Sequence, residues 1–221
     1  MSLSSLIPPE IKNDNFYEAI LRTLTTRTDT KTIIEIGSSS GEGSTKALLE
    51  GSSSYGAHLF CLEISQERIN KLLMEHEGVE RLKAYRYSSV PIDQFMTKDQ
   101  VADFYNTVKT SLNQYPLDMV IQWHDQDVNY IRDNSLEQNG ISKIKADHGI
   151  DIFDVAFIDG SCFTAEAELK QVYGSSVIML DDTNDIKNYR NLQALLKDDS
   201  YKLLQQDNSI RNGFAIFERI R

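Results

Sequence analysis

Hydrophobic runs alternate with amphipathic stretches along most of the chain. Five runs rich in Ile, Val, Leu and Phe have the length of buried strands. They span residues 32–36, 58–64, 82–87, 153–159 and 175–182. Stretches with apolar residues at three- and four-residue spacing lie between several of these runs and predict helices. Strands that alternate with helices form parallel sheets covered on both faces, so the pattern predicts an α/β fold.

The C-terminal part of the chain predicts an antiparallel pair of strands. Residues 201–206 and 213–220 are two further strand-like runs, and the polar sequence DNSIRN joins them. Two strands joined by a short polar segment form a hairpin. We therefore expect a mostly parallel, seven-stranded sheet of the Rossmann-like kind, with an antiparallel hairpin at one edge.

Helix signals lie between the strands. A short helix is predicted over residues 45–50, and Ser65 is a typical N-cap for the next one. Further helices are predicted over residues 164–173 and 189–197. The N-terminal segment, residues 1–30, is expected to be helical as well.

Residues 91–150 form an insert that is longer than a simple crossover requires. Three helices are predicted in it, around residues 101–112, 125–132 and 141–148. We interpret the insert as a helical cap or as an oligomer contact, for example in a homodimer. No linker-like stretch divides the chain, so residues 1–221 are expected to form a single domain.

Composition narrows the class of protein. The 221 residues carry a net charge of −10, and no stretch is rich enough in Lys and Arg to dock nucleic acid or an anionic membrane. No apolar run approaches the ~20 residues of a membrane span, and the N-terminus lacks the pattern of a secretory signal. The two cysteines fit a reducing compartment, so we expect a cytoplasmic protein.

A cluster of small residues follows the first predicted strand. The sequence of residues 33–45, IIEIGSSSGEGST, places Gly37, Gly41 and Gly43 directly behind a hydrophobic run. A strand, a tight turn and a helix start form a ligand cradle at the carboxyl edge of a parallel sheet. The spacing differs from the G-x-G-x-x-G pattern of dinucleotide-binding turns. A tight turn that binds no ligand is the alternative interpretation.

The same stretch resembles the E/D-x-G-x-x-x-G pattern of the class I S-adenosylmethionine (SAM)-dependent methyltransferases. The resemblance implies that the turn passes close to the methionine part of SAM, and that Glu35 helps to position its amino acid end. Ser39 stands where the commonest form of the pattern has a glycine. Cofactor-binding residues implied in this turn are Glu35, Gly37, Ser39, Gly41 and Gly43.

Two later strand ends extend the predicted cofactor site. Glu63 ends the second strand, where a carboxylate can accept hydrogen bonds from both ribose hydroxyls of an adenosine. Ser88 and Ser89 follow the third strand, where the family often contacts adenine. These two serines could equally be ordinary polar loop residues.

Three carboxylates lie at the ends of the next two strands. Asp159 ends one strand, and Asp181 and Asp182 end the other. The ends of neighbouring parallel strands lie ~5 Å apart, so the carboxylates would repel unless one held a proton or a cation bound them. Oxygen ligands alone favour Mg²⁺, with Mn²⁺ or Ca²⁺ as alternatives. The acids could instead cap loops or face water, and the Asp181–Asp182 pair could point in opposite directions.

The sequences DVAFIDGS and VIMLDDT are similar to those of metal-dependent small-molecule O-methyltransferases, especially the macrolide-sugar and aminocoumarin-sugar enzymes. That resemblance implies that Asp159, Asp181 and Asp182 hold Mg²⁺. The related catechol-type enzymes place a lysine base three residues after the first aspartate, a position that Cys162 takes here. Asp159 itself, or an insert residue such as His124, is then the expected proton acceptor.

These observations predict methylation of a hydroxyl on a small polar molecule, such as a sugar or a natural product. Asp159 is the predicted catalytic residue, and Arg211, in the last turn, is a candidate for binding the acceptor. One alternative is a metal-independent N- or C-methyltransferase of the same fold. Another is a non-catalytic module that binds SAM.

Overall fold

The structure is a computed structural model that describes residue 3 and residues 5–221. Its centre is a seven-stranded sheet with strand order β3-β2-β1-β4-β5-β7-β6. The strands are β1 (Thr32–Ile36), β2 (His58–Leu62), β3 (Leu82–Tyr85), β4 (Val155–Ile158), β5 (Val177–Asp181), β6 (Tyr201–Asp207) and β7 (Phe214–Arg219). β7 pairs antiparallel with β5 and with β6, and all the other pairs are parallel. The seven predicted strands and the C-terminal hairpin are therefore confirmed.

Helices cover both faces of this sheet. They are α1 (Asn15–Thr25), α2 (Ser44–Gly51), α3 (Gln66–Glu75), α4 (Lys98–Thr107), α5 (Leu117–Asp133), α6 (Gly140–His148), α7 (Ala165–Val172) and α8 (Tyr189–Leu196). Alternate strand residues face opposite ways, so β1 places Ile33 in one hydrophobic cluster and Ile34 in the other. The cluster with Ile33 packs against α1, α2 and α3, and the cluster with Ile34 packs against the remaining helices. Part of the predicted N-terminal segment is thus helix α1, while residues 1, 2 and 4 lie outside the described residues.

The insert is a helical layer on the sheet, but two of its predicted boundaries were wrong. α4 ends at Thr107, and the next residue has an extended backbone. A short 3₁₀ turn with a capping box at Thr110 follows, and Pro116 then precedes the first turn of α5. Proline fixes its own backbone and favours a helix start, which explains why α5 begins earlier than predicted. None of the helices in the described part of the chain is long and apolar enough to cross a membrane.

Candidate active site

One cavity of about 300 Å³ lies at the carboxyl edge of the parallel strands. The small-residue turn, Glu63, Asp159 and Asp182 all line it. β1, β2 and β4 are parallel neighbours, so the residues that follow them leave the sheet at the same edge. The predicted cofactor site and part of the predicted acid cluster therefore share one space.

Two glycines of the turn are required by the packing of the chain itself. Gly37 has a φ of 87°, and a Cβ there would lie 2.0 Å from the carbonyl oxygen of Asp159. Gly41 has a φ of 79°, and a Cβ there would meet the side chains of Leu72 and His76. Both positions also line the cavity, so the tight turn forms part of its wall.

Ser39 adopts a backbone conformation that glycine adopts more easily. Its φ is 48°, in the left-handed region that L-residues other than Asn and Asp rarely enter. Ser39 lines the cavity, and its Oγ is buried without a hydrogen-bond partner among the described residues. A buried hydroxyl without a partner is costly, so this oxygen is well suited to a polar ligand atom.

Glu35 lies beneath the turn and outside the cavity lining, which corrects its expected contact with the cofactor. Its side chain is fully buried, and its carboxylate accepts hydrogen bonds from Ser44 Oγ at 2.6 Å and Thr45 Oγ1 at 2.7 Å. Cys61 Sγ lies 3.3 Å from the same carboxylate. Burial raises the pKa of Glu35, although these three donors oppose the shift. The residue therefore fixes the start of α2 behind the turn.

Glu63 follows β2 at the carboxyl edge of the sheet, and its contact with a ribose stays a prediction. It lines the cavity, and its Oε1 accepts a hydrogen bond from the backbone N–H of Ser65 at 2.8 Å. Arg68 Nη1 lies 3.9 Å from its Oε2. Burial raises the pKa of Glu63, while the Ser65 amide and Arg68 oppose that rise.

Ser88 and Ser89 also line the cavity, but their hydroxyls are used within the protein. Ser88 Oγ donates to the carbonyl oxygen of Val90 at 2.6 Å, and Ser89 Oγ donates to Glu168 Oε1 at 2.5 Å. These bonds give both serines a structural role in the cavity wall. Their contact with adenine stays a prediction.

The three aspartates meet, as the strand register predicted. One carboxylate oxygen from each of Asp159, Asp181 and Asp182 lies within 4.8 Å of the others. Two cationic side chains of the chain itself are bound to them. Lys187 Nζ lies 2.6 Å from Asp159 Oδ1 and 2.6 Å from Asp182 Oδ2, and Arg211 Nη2 lies 2.9 Å from Asp181 Oδ1.

These ion pairs decide how well the cluster fits a divalent metal. The repulsion that suggested Mg²⁺ is partly offset, because the three carboxylates face the Lys187 ammonium and the Arg211 guanidinium, which also pairs with Asp14. A metal ion bound by both Asp159 and Asp182 would have to displace the Lys187 ammonium from between them. In this arrangement the residues fit the cations of the chain and do not fit a further metal, so Mg²⁺ stays an unconfirmed prediction.

The pKa values of the cluster follow from burial and from these pairs. Burial foremost, and then the Asp182 carboxylate, raise the pKa of Asp181 to about 6 against the effect of Arg211. Burial opposes the charge of Asp182, but Lys187 and Asn212 hold its pKa below the ordinary value. Burial also opposes the charge of Lys187, but Asp159 and Asp182 outweigh it and raise the pKa of the amine. Lys187 is therefore an ammonium throughout the neutral range.

Sequence reasoning missed Lys187 and Asp127. Lys187 lies five residues after Asp182, in the loop that leads to α8, and Asp127 lies on α5 of the insert. Both line the cavity, and Asp127 Oδ2 accepts a hydrogen bond from Ser161 Oγ. Burial foremost raises the pKa of Asp127. A lysine close behind an acidic pair was the available signal for the first residue, and the polar face of an insert helix was the signal for the second.

Arg211 and His124 lose their suggested roles, and Cys162 does not replace the lysine base of the catechol-type enzymes. Arg211 is held by Asp14 and Asp181, so it is an internal ion-pair partner and not an acceptor-binding residue. His124 is 8% exposed, and its Nε2 lies 2.7 Å from the carbonyl oxygen of Met96, which places it in the wall of the insert. Burial strongly raises the pKa of Cys162, so its thiol stays protonated and cannot serve as a base.

Solved structures with the same architecture include methyltransferases. The chain matches an O-methyltransferase from Bacillus cereus in complex with SAH, with a TM-score of 0.55 and 15% identity over 96% of this chain and 84% of that chain. It matches the O-methyltransferase TomG from Streptomyces achromogenes, involved in tomaymycin synthesis and in complex with SAM, with a TM-score of 0.54 and 13% identity over 97% of this chain and 84% of that chain. A methyltransferase from Geobacter sulfurreducens gives a TM-score of 0.56 at 8% identity, over 96% of this chain and 82% of that chain.

No protein-family model matches the sequence, and no curated protein matches it. The fold is therefore recognised from structure, and it is the Rossmann-like fold of the class I methyltransferases. This confirms the fold that the turn and the strand ends predicted.

Proposed function

We propose that this protein transfers the methyl group of SAM to a hydroxyl oxygen of a small polar acceptor, such as a sugar or a natural product. The observation that carries the proposal is the shared cavity, in which the small-residue turn and Glu63 face the same space as Asp159. The solved structures with this fold add support, because they include O-methyltransferases in complex with SAM or SAH.

The cofactor would occupy the part of the cavity formed by β1, β2 and their turns. Glu63 would accept hydrogen bonds from the ribose hydroxyls, and Ser39 Oγ would bind a polar atom of the methionine portion. Gly37, Gly41 and Gly43 would let the backbone approach the ligand closely. Ser88 and Ser89 would shape the wall near the adenine.

The acceptor would lie between the cofactor and the acid cluster. The sulfonium of SAM is already activated, so the protein chiefly has to align the donor and the acceptor. Asp159 is the proposed proton acceptor, because it lines the cavity and Lys187 contacts only its Oδ1 in the described structure. The proposed reaction uses no metal, because the Lys187 ammonium lies between Asp159 and Asp182, two of the predicted metal ligands.

Calorimetry with SAM tests the cofactor site directly. We expect SAM to bind the wild-type protein, and Glu63→Gln to weaken binding by about tenfold, since each ribose hydroxyl then loses a charged acceptor. Glu67→Gln, which removes an exposed carboxylate at the start of α3, is the matched control and should bind like the wild type. Absence of binding to the wild-type protein would overturn the proposal.

Transfer of a labelled methyl group to a panel of sugars, phenols and amines then tests the acceptor. Labelled oxygen products would support the proposed reaction. Products methylated only on nitrogen or carbon would favour an N- or C-methyltransferase instead. Binding of SAM without turnover on any class of acceptor would favour a non-catalytic SAM-binding module.

A further inference from the structure

Lys187 is the central cation of the acid cluster. Its Nζ lies 2.6 Å from a carboxylate oxygen of Asp159 and 2.6 Å from one of Asp182. Only 11% of its side chain is exposed, and the exposed part faces the cavity, because Lys187 is one of the lining residues. The ammonium thus joins the ends of β4 and β5 at the floor of the site.

The position of Lys187 is built into the fold. The residues on either side are both buried, with Ile186 at 3% and Asn188 at 0% exposure. Asn188 Nδ2 donates to the carbonyl oxygen of Ile158 at 3.0 Å and to that of Asp181 at 2.7 Å. One side chain thereby ties the Lys187 loop to the ends of both strands. Lys187 therefore differs from a surface lysine that meets an acid by chance.

The hydrogen-bonding capacity of the ammonium exceeds its contacts with the two aspartates. A lysine ammonium has three N–H donors, and Asp159 and Asp182 account for two of them. A third donor remains for an atom in the cavity. A cation with a free donor at this place can bind and orient an acceptor oxygen, which is the task for which a divalent ion was predicted.

We propose that Lys187 takes the place of the divalent cation and holds the acceptor oxygen by a charge-assisted hydrogen bond. This inference rests on the proposed function. The hydroxyl proton passes to Asp159, and the ammonium stabilises the negative charge that develops on the oxygen. An oxygen electron pair forms the bond to the methyl carbon, the carbon–sulfur bond breaks, and its electron pair stays on sulfur as the neutral thioether of SAH.

Metal binding measured without cofactor or acceptor tests this assignment. In calorimetry we expect no Asp182-dependent binding of Mn²⁺ to the wild-type protein. Lys187→Met removes the charge and keeps most of the side-chain volume, so three carboxylates would face only Arg211. We expect this variant to bind Mn²⁺ at least about tenfold more tightly than the wild type does.

Two further variants serve as controls. Lys98→Met breaks an exposed ion pair with Asp125 and should leave Mn²⁺ binding unchanged. Lys187→Arg keeps a cation at the cluster and should stay without Mn²⁺ binding. Wild-type binding of Mn²⁺ that Asp182→Asn abolishes would overturn the proposal, and so would a folded Lys187→Met that binds no more Mn²⁺ than the wild type. The Mn²⁺ titration of the wild-type protein tests the proposal even if Lys187→Met does not fold.

Kinetics distinguishes a role in the reaction from a purely structural one. If Lys187 holds the acceptor oxygen, Lys187→Met should lower kcat by about 100-fold or more while SAM affinity stays near that of the wild type. The wild-type rate should be the same with and without EDTA. A rate that EDTA abolishes and Mg²⁺ restores would overturn the proposal. Failure of SAM to bind would refute the proposed function. The Mn²⁺ titration would still show whether Lys187 or a divalent metal ion neutralises the aspartates.

Discussion

Gly37 and the carbonyl oxygen of Asp159 lie so close together that a Cβ at residue 37 would come within 2.0 Å of that oxygen. The exits of β1 and β4 are therefore in direct backbone contact. A side chain at residue 37 would therefore push against the backbone of the predicted catalytic aspartate. The small-residue turn and the acid cluster are in direct contact at this point.

Gly37→Ala should destabilise the protein by at least about 3 kcal/mol, because the left-handed backbone and the clash with Asp159 add to each other. Gly56→Ala is the matched control, since Gly56 has a φ of 70° but nothing within 4 Å of a Cβ. Gly56→Ala should lower the free energy of unfolding by only about 1 kcal/mol, the cost of a left-handed backbone at an alanine. Urea unfolding of both variants measures the difference, and equal losses would contradict the contact.

Glu35→Gln should change the pH dependence of stability. Burial raises the pKa of Glu35 in the folded state, so the folded protein keeps this proton at pH values where the unfolded chain has lost it. Glu35 therefore lowers the free energy of unfolding as pH rises from the ordinary Glu pKa through its raised value. The variant lacks this slope and should gain stability relative to the wild type over that window. Urea unfolding across the acidic and neutral range checks this.

Glu42→Gln provides a comparison of opposite sign. The hydrogen bond from Lys71 lowers the pKa of Glu42, so this residue contributes stability above the ordinary Glu pKa and loses it as pH falls through the lowered value. The variant should lose stability relative to the wild type as pH rises through that lower window. If the free energy of unfolding, relative to the wild type, changed with pH in the same direction in both variants, the opposite pKa shifts assigned to Glu35 and Glu42 would be refuted.

Asp159→Asn should lower the methyl-transfer rate far more than it lowers SAM affinity, because the proposed cofactor contacts come mainly from the turns after β1 and β2. Glu63→Gln should show the reverse pattern. The control is Asp154→Asn, which changes an aspartate just before the same strand, where it accepts hydrogen bonds from the backbone N–H groups of Lys31 and Thr32. Initial rates and SAM calorimetry separate the effects. Parallel losses of rate and affinity in Asp159→Asn would contradict its assigned role.

Asn188→Ala should cost about 1–3 kcal/mol of stability, because it leaves the carbonyl oxygens of Ile158 and Asp181 buried without this donor. Asn208→Ala removes an exposed side chain that accepts from Gln206 and should cost little. Thermal unfolding compares the two. If the Lys187 loop depends on Asn188, the variant should also acquire some Mn²⁺ binding.

The strands and the shared edge were predictable because both depend on local pattern. A hydrophobic run of five residues followed by Gly or Asp indicates a buried strand and its exit, and parallel neighbours bring their exits together. This reasoning located Glu63 and the aspartates. The alternation of side chains along a strand could also have predicted the position of Glu35. Its neighbours Ile34 and Ile36 face the insert side of the sheet, so Glu35 must face the other side, where α2 lies.

The cations of the cluster were not predictable in the same way. Whether Lys187 or a metal neutralises Asp159 depends on the path of the loop before α8, and that path is set by Asn188 and its hydrogen bonds to two separate strands. Arg211 was assigned to an acceptor from its place in a turn, but Asp14, far away in sequence, binds it. Residues that meet only in the folded chain leave little periodic signal.

The lining of the cavity comes from different parts of the chain. The turns after β1 and β2 contribute the part that is proposed to bind the cofactor, whereas α5 of the insert contributes Asp127 and Ile131. Substitutions along that face of α5 can change the molecules admitted to the site while the turn that would seat SAM keeps its shape. A family of such proteins could diversify its acceptors by varying one helix.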